Sequence, residues 1–156
     1  MRLDPRYAAF RERFVERRAN PGGARHTQEG ARAARRAVVE YVEAQAEATG
    51  LPDSSFDIIA AVYLFHELPP QVRRDVAREA ARLLKPSGVF IEVDTIQYGD
   101  EPGFDILLEN FPRGFHEPYY DSYCREDLAA LFGEAGLVKT AEAVAFLTKV
   151  SASRRD

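Results

Sequence analysis

Residues 51–68 read LPDSSFDIIAAVYLFHEL, and residues 81–94 read ARLLKPSGVFIEVD. Each stretch contains a short apolar run rich in β-branched residues, first at Phe56–Val62 and again at Val89–Val93. Runs of this kind predict strands that are buried on both faces of a sheet. Together with the segment between them, they predict a strand–helix–strand unit and therefore a parallel α/β sheet.

The segment between the two runs has the pattern of an amphipathic helix. Val72, Val76 and Ala80 recur at helical spacing and predict a buried face. Pro69 and Pro70 suit a helix start, because the first turn does not need their missing N–H groups. The charged residues are expected on the opposite, exposed side: Arg73, Arg74, Asp75, Arg78, Glu79 and Arg82.

The composition limits the class of protein. The chain has 156 residues, a net charge of −4 and 46% hydrophobic residues, which suits one globular domain and argues against a general nucleic-acid binder. Its single cysteine, Cys124, leaves no internal disulfide and no cysteine set for zinc. No apolar run approaches the ~20 residues that cross a bilayer. We expect a cytoplasmic protein.

The two quoted stretches together resemble the second half of the class I S-adenosylmethionine-dependent methyltransferases, in particular methyltransferase type 11 and the ubiquinone/menaquinone methyltransferases. The first is similar to the family's fourth strand and the loop after it, and the second to the end of the next helix and the fifth strand. The LKPSG turn at residues 84–88 closely matches the family's Leu-Lys/Arg-Pro-Gly-Gly. The resemblance implies an α/β fold: a truncated Rossmann-like methyltransferase sheet, mostly parallel with a closing antiparallel C-terminal pair, and flanking helices.

The N-terminal part is predicted to be helical. Apolar spacing and an Asn-Pro-Gly-Gly end predict a helix from Pro5 to about Ala19, and a second helix runs through Arg36. We divide the chain into N-terminal helices at 1–37, an incomplete methyltransferase-like α/β domain at 38–150 and a tail at 151–156, and treat it as one domain.

Local preference is ambiguous at residues 38–48. The valines and Tyr41 favour a strand, whereas the Ala, Glu and Gln background favours a helix. The resemblance favours a strand at Val38–Glu43, where the family carries its third strand. It also implies that Gln45 and Ala46 contact the adenine of S-adenosyl-L-methionine.

The family's glycine-rich loop after its first strand has no counterpart among the ten glycines of this sequence. We therefore expect the first two strands of the family's sheet to be deleted, which would leave the Phe56–Val62 strand with an unpaired edge. Three arrangements remain open. The Val38 strand pairs directly with it, which is the simplest; a second copy supplies the edge in a homodimer; or the chain is a fragment.

The C-terminal third combines an aromatic segment with a closing strand pair. Residues 111–123 are irregular and unusually aromatic, and they either cover a substrate pocket or pack onto the core. A helix is predicted over Arg125–Ala135, followed by antiparallel strands at Leu137–Ala141 and Val144–Val150. The tail Ser151–Asp156 is predicted to be disordered.

Four residues are candidates for chemistry. His66 follows the fourth strand of the family, and Glu92 and Asp94 end the fifth, so all three belong to the rim at which open α/β sheets bind ligands. His116 lies in the aromatic segment. Each has an alternative structural role, such as capping a turn or solvating a strand end. No metal site is predicted, because neither His-Glu pair carries the second histidine of a zinc motif.

The resemblance implies further cofactor contacts at the end of the fourth strand, where Ala61, Val62 and Phe65 are the candidates. Two hypotheses follow. The chain is an S-adenosyl-L-methionine-dependent methyltransferase of a small, aromatic or quinone-like acceptor. Alternatively, it is a non-catalytic methyltransferase-like remnant that has lost the cofactor and acts by pairing with another chain.

Overall fold

The fold is that of a computed structural model, which describes residues 40–156. The predicted helices at 5–19 and through Arg36, and the first two residues of the predicted strand at Val38–Glu43, lie outside the described residues. Residues 46–156 form one compact unit. The described residues before this unit, 40–45, contain no helix or extended strand.

Four strands form one sheet in the order β1-β2-β4-β3. The strands are β1 (Phe56–Val62), β2 (Leu84–Thr95), β3 (Leu137–Ala145) and β4 (Thr148–Arg155). β1 and β2 are parallel, whereas β2–β4 and β3–β4 are antiparallel. The α/β class and the closing antiparallel pair are confirmed, and the described sheet is mixed.

Four helices accompany the sheet. They are α1 (Pro70–Leu83), α2 (Asp105–Gly114), α3 (Tyr120–Cys124) and α4 (Leu128–Glu134). Short 3₁₀ turns at Phe65–Glu67 and Pro102–Phe104 precede α1 and α2. In the described part of the chain, no helix combines the length and apolar character that crossing a bilayer requires.

The crossover between the two parallel strands follows the predicted pattern. α1 begins at Pro70, because proline costs no hydrogen bond in the first turn. Val72, Val76 and Ala80 are buried as expected. The core below α1 centres on Phe65, Phe90 and Phe132, whose rings meet edge to face at centroid distances of 5.2–6.1 Å.

The predicted strand at Val38–Glu43 is wrong where it can be compared. Residues 40–44 have no regular structure, and Gln45 and Ala48 are isolated bridge residues on either side of a turn. This stretch is neither strand nor helix. Its Ala- and Glu-rich composition has weak strand preference, and a strand needs a paired neighbour to hold it.

β1 also differs from expectation, since it is not buried on both faces. Ile58 is 61% exposed and Val62 is 47% exposed, although Ala61 is buried. Within residues 40–156, β1 pairs with β2 alone and forms one end of the sheet. A strand with one neighbour leaves an edge and part of its surface uncovered, whatever its composition.

Two charged residues of α1 that were predicted to be exposed are buried. Arg73 is completely buried and Glu79 is 8% exposed, although both were expected to face solvent. Each has partners that a periodicity argument does not see. Arg73 bonds to groups on other elements, and Glu79 accepts hydrogen bonds from the Thr49 backbone and hydroxyl as well as from Arg82.

The C-terminal end is ordered rather than a disordered tail. β4 runs to Arg155, and Ser151 and Ser153 pair with Glu92 and Phe90 of β2. The tight turn between β3 and β4 lies at Phe146, within the segment that was predicted as the last strand. The last strand therefore begins and ends later than its apolar residues suggest, because Ser and Arg complete the ladder.

The aromatic segment is more regular than predicted. α2 extends to Gly114 with Pro112 inside it, and α3 occupies Tyr120–Cys124. The helix predicted over Arg125–Ala135 is shorter, since α4 starts after Asp127. The Asp127 carboxylate caps α4 by accepting the Ala130 N–H at 3.0 Å.

Candidate functional site

Asp94 is the centre of a polar cluster at the carboxyl end of β2. Its side chain is completely buried and accepts the backbone N–H groups of Phe65 at 2.9 Å and Thr95 at 2.7 Å. A third interaction joins its Oδ1 to His66 Nδ1 at 2.5 Å. β2 thus positions the carboxylate, and the carboxylate fixes the turn that follows β1.

His66 is held in one tautomer by this contact. Because Asp94 accepts, the proton of the neutral ring lies on Nδ1 and the lone pair lies on Nε2. Burial lowers the pKa of His66, but the hydrogen bond to Asp94 and the Asp94 charge outweigh it and raise the pKa above its usual value. His66 is 9% exposed. It therefore has the arrangement of a base oriented by a buried acid.

Three tyrosines surround the imidazole of His66. The ring centroids of Tyr63, Tyr120 and Tyr123 lie 6.3, 5.9 and 6.1 Å from it, all in edge-on orientations. Tyr63 follows β1 with a φ of 49°, and its hydroxyl is bonded to Thr148 at 2.6 Å. Of these three tyrosines, Tyr63 is 41% exposed, whereas Tyr120 and Tyr123 are buried with the imidazole.

Arg73 joins the two segments that carry His66 and the buried tyrosines. Its guanidinium donates from Nε to the Phe65 carbonyl at 2.9 Å, and from Nη2 to the Tyr119 carbonyl at 2.7 Å and the Ser122 hydroxyl at 2.9 Å. It also pairs with Glu126 at 3.2 Å. A buried arginine with these partners locks the His66 turn to α3.

Glu92 lies deeper than the rim. Its side chain is completely buried and bonds to Ser151 at 3.1 Å, with the Tyr123 hydroxyl at 3.5 Å. Burial, and then the charge of Asp94, raise the pKa of Glu92 to about 8. At neutral pH Glu92 is therefore mostly protonated.

His116 is exposed in the segment between α2 and α3. The residue after it, Glu117, comes to His66 instead, together with Glu67: one ligand-type atom from each of the three lies within 4.8 Å of the others. Burial and the charge of Glu117 raise the pKa of Glu67. The sequence prediction selected His116, whereas its neighbour Glu117 belongs to the cluster.

The predicted cofactor residues have different positions. Ala61 is buried and pairs with Glu92, and the Phe65 ring is completely buried in the core. Val62 is the one of these three that offers a large surface to solvent. Gln45 and Ala46 are exposed, and Ala46 is the first residue of the compact unit 46–156.

The end of β1 suits one part of S-adenosyl-L-methionine. Val62 and Tyr63, 47% and 41% exposed, form an apolar surface next to the turn that carries His66. Such a surface can pack against a purine ring.

Three residues of the cluster were missed by sequence reasoning. Arg73 was assigned to solvent, Glu117 was passed over for His116, and Tyr123 was treated as one aromatic among many. A signal existed only for Tyr123, which together with Tyr120 shares a helical face in the aromatic segment. The roles of Arg73 and Glu117 depend on contacts between segments that are more than 40 residues apart in the chain.

The sequence matches a known family. Residues 18–91 match the methyltransferase domain family. The uncharacterized methyltransferase YcgJ of Bacillus subtilis is 38% identical over 88 residues, which cover 56% of this chain and 32% of the relative. The matched segment thus spans about a third of the length of this curated relative.

The fold matches solved structures at low identity. The PH0226 protein of Pyrococcus horikoshii aligns with a TM-score of 0.58 and 18% identity, over 83% of this chain and 68% of that one. An O-methyltransferase family protein of Burkholderia thailandensis aligns with a TM-score of 0.59 and 20% identity, over 83% and 41% of the two chains. At this identity the alignments show the fold alone.

Proposed function

We propose that this chain, which is similar to methyltransferases in sequence and in fold, transfers a methyl group from S-adenosyl-L-methionine to a small-molecule acceptor. The observation that carries the proposal is the His66–Asp94 pair at the carboxyl ends of two parallel strands. This is the rim at which open α/β sheets bind their ligands.

The residues of this chain supply a base and a binding surface. The cofactor supplies a methyl group on a sulfonium when it is bound. His66 Nε2 carries the lone pair and takes the proton of an acceptor hydroxyl or amine as the acceptor attacks. The Asp94 side chain, bonded to Nδ1, stabilises the imidazolium that results. The proton then leaves His66 to solvent.

The tyrosines favour a planar acceptor. Tyr63 and Tyr120 lie within 6.3 Å of the imidazole, so a flat acceptor bound beside His66 would have aromatic partners. Aromatic side chains bind such rings by stacking and edge contacts. A phenol or a hydroxyquinone is therefore the acceptor class that we propose.

The test has two parts. The first is calorimetric titration of S-adenosylhomocysteine into the full chain. The second is transfer of a labelled methyl group to a panel of hydroxylated aromatic compounds. We expect binding, and we expect His66→Gln to lower transfer by about 10²–10⁴-fold, as for the loss of a general base. His116→Gln is the matched control, because His116 is exposed outside the cluster, and it should retain transfer.

A second function has its own observation. β1 exposes Ile58 and Val62 at the end of the described sheet, which suits a methyltransferase-like subunit that pairs with another chain without using the cofactor. Absence of S-adenosylhomocysteine binding by the folded chain would favour this function over catalysis. Equal transfer by the two histidine variants would remove His66 from the mechanism.

A further inference from the structure

The free nitrogen of His66 faces two carboxylates. His66 Nε2 lies 3.7 Å from Glu67 Oε1, which is beyond hydrogen-bond distance. One ligand-type atom from each of His66, Glu67 and Glu117 lies within 4.8 Å of the other two. His66 itself is nine-tenths buried. Its Nε2 atom therefore has carboxylate oxygens close enough to share an ion with it.

Glu117 provides a second, independent observation. Its Oε2 atom is buried and has no hydrogen-bond partner in the described part of the chain. A buried carboxylate oxygen without a donor is costly, because its hydration is lost and nothing replaces it. The Glu117 backbone N–H is tied to the Phe115 carbonyl at 2.8 Å, which fixes the residue next to His66. This orphaned oxygen is a group that a cation would satisfy.

We propose that His66 Nε2, Glu67 and Glu117 bind one divalent transition-metal ion, with Zn²⁺ the best match to the set. One imidazole and two carboxylates are ligands that Zn²⁺ accepts, and three protein ligands leave a fourth position open for water or a substrate oxygen. The sequence gives no motif for this site, because Glu67 and Glu117 are far apart in the chain.

The surroundings of His66 resemble those of an imidazole ligand. A histidine that binds a metal usually donates its other ring N–H to a carboxylate, and Asp94 accepts from Nδ1 at 2.5 Å. Zn²⁺ bonds of about 2.0–2.2 Å would place tetrahedral ligand atoms roughly 3.4 Å apart. The present separations of up to 4.8 Å close to that value by rotation of the two flexible glutamate side chains.

The ion and the proposed base use the same lone pair. Zn²⁺ on Nε2 would prevent His66 from taking a proton, so the metal-bound and metal-free forms would differ in chemistry at one atom. Metal binding does not depend on the cofactor, however, and goes beyond the proposed methyl transfer. Zn²⁺ binding can therefore be observed when methyl transfer is absent, and it can be absent when methyl transfer is observed.

The experiment is calorimetric titration of Zn²⁺ into the chelator-treated full chain, without cofactor and in a buffer that does not bind zinc. We expect one ion per chain at this site. Glu117→Gln and Glu67→Gln should each weaken binding more than about 100-fold, since loss of an outer partner alone costs 10–100-fold. Asp94→Asn should weaken it by about 10–100-fold.

Two controls make the outcome decisive. Glu109→Gln removes the same charge from an exposed position on α2 and should leave the affinity unchanged. His116→Gln should also leave it unchanged. Circular dichroism verifies that each variant is folded, and Co²⁺ absorption reports the ligand geometry. Absence of Zn²⁺ binding, unchanged affinity in folded Glu117→Gln, or loss of binding in His116→Gln would each overturn the proposal.

Discussion

On β2, Glu92 and Asp94 are completely buried, whereas on the neighbouring β1 Ile58 and Val62 are 61% and 47% exposed. The carboxylates are inside because each has hydrogen-bond partners on other elements. The apolar residues are outside because β1 pairs on one side only in the described part of the chain. Burial here follows from what covers a strand rather than from the polarity of its side chains.

The largest loss of stability is expected from removing the buried guanidinium of Arg73, which links the turn before α1 to α3. Arg73→Met deletes the donors to Phe65, Tyr119 and Ser122 and leaves Glu126 with less compensation, so the free energy of unfolding should fall by about 3–5 kcal/mol. Urea unfolding followed by circular dichroism measures it. Arg78→Met, on the exposed face of α1, should change the stability by less than about 0.5 kcal/mol. Similar losses in the two variants would contradict the role of the buried network.

The buried carboxyl of Glu92 should give the protein a pH-dependent stability. Its pKa of about 8 lies above that of the unfolded chain, so between pH 4.5 and 8 the folded state binds more protons than the unfolded state. Stability from this group is therefore complete at low pH and falls as pH rises, by up to about 1.4 kcal/mol per unit. Unfolding of the wild type and Glu92→Gln across this range tests it. A slope that persists in the variant would assign the effect to another group.

At Gly88 the neighbouring backbone is too close to leave room for a side chain. A Cβ there would lie 2.9 Å from the Lys85 carbonyl oxygen and 3.2 Å from that of Asp57 on β1. Gly88→Ala should cost about 1–3 kcal/mol, because backbone must move to admit the methyl group. Gly133→Ala in α4 meets no atom within 4 Å and should be neutral or slightly stabilising. Thermal unfolding of both variants sharpens the comparison, and a neutral Gly88→Ala would disprove the close approach.

The smallest change in stability is expected from substitution of Ile58, which is exposed on β1. Ile58→Thr alters a side chain that is already mostly in water, so the stability should change by less than about 0.5 kcal/mol. Unfolding and size-exclusion chromatography measure the stability and the oligomeric state. A loss above 1 kcal/mol, or a change in assembly, would mean that this face of β1 is covered in solution. The contrast between the two strands would then disappear.

The sequence carries local information well. The apolar runs predicted β1 and β2, the two prolines predicted the start of α1, and the resemblance predicted the closing antiparallel pair, and all of these are confirmed. Each is decided by a few neighbouring residues, through strand preference, helix capping or turn geometry.

The contacts between distant segments were not predictable in this way. Helical periodicity assigns an arginine to solvent unless its partners are known, and the partners of Arg73 lie on the turn before α1 and around α3. The choice between His116 and Glu117 depends on which way a single stretch of backbone faces. The C-terminal end of β4 forms a strand because it pairs with β2. Its serines have little strand preference of their own.

The hold on Asp94 has a consequence for engineering. Two of its donors are the backbone N–H groups of Phe65 and Thr95, which any residue except proline at those positions would provide. The carboxylate should therefore keep its place when the side chain at position 66 is exchanged. Position 66 could therefore be substituted with a cysteine, a lysine or a non-natural imidazole, and Asp94 would remain beside the new side chain.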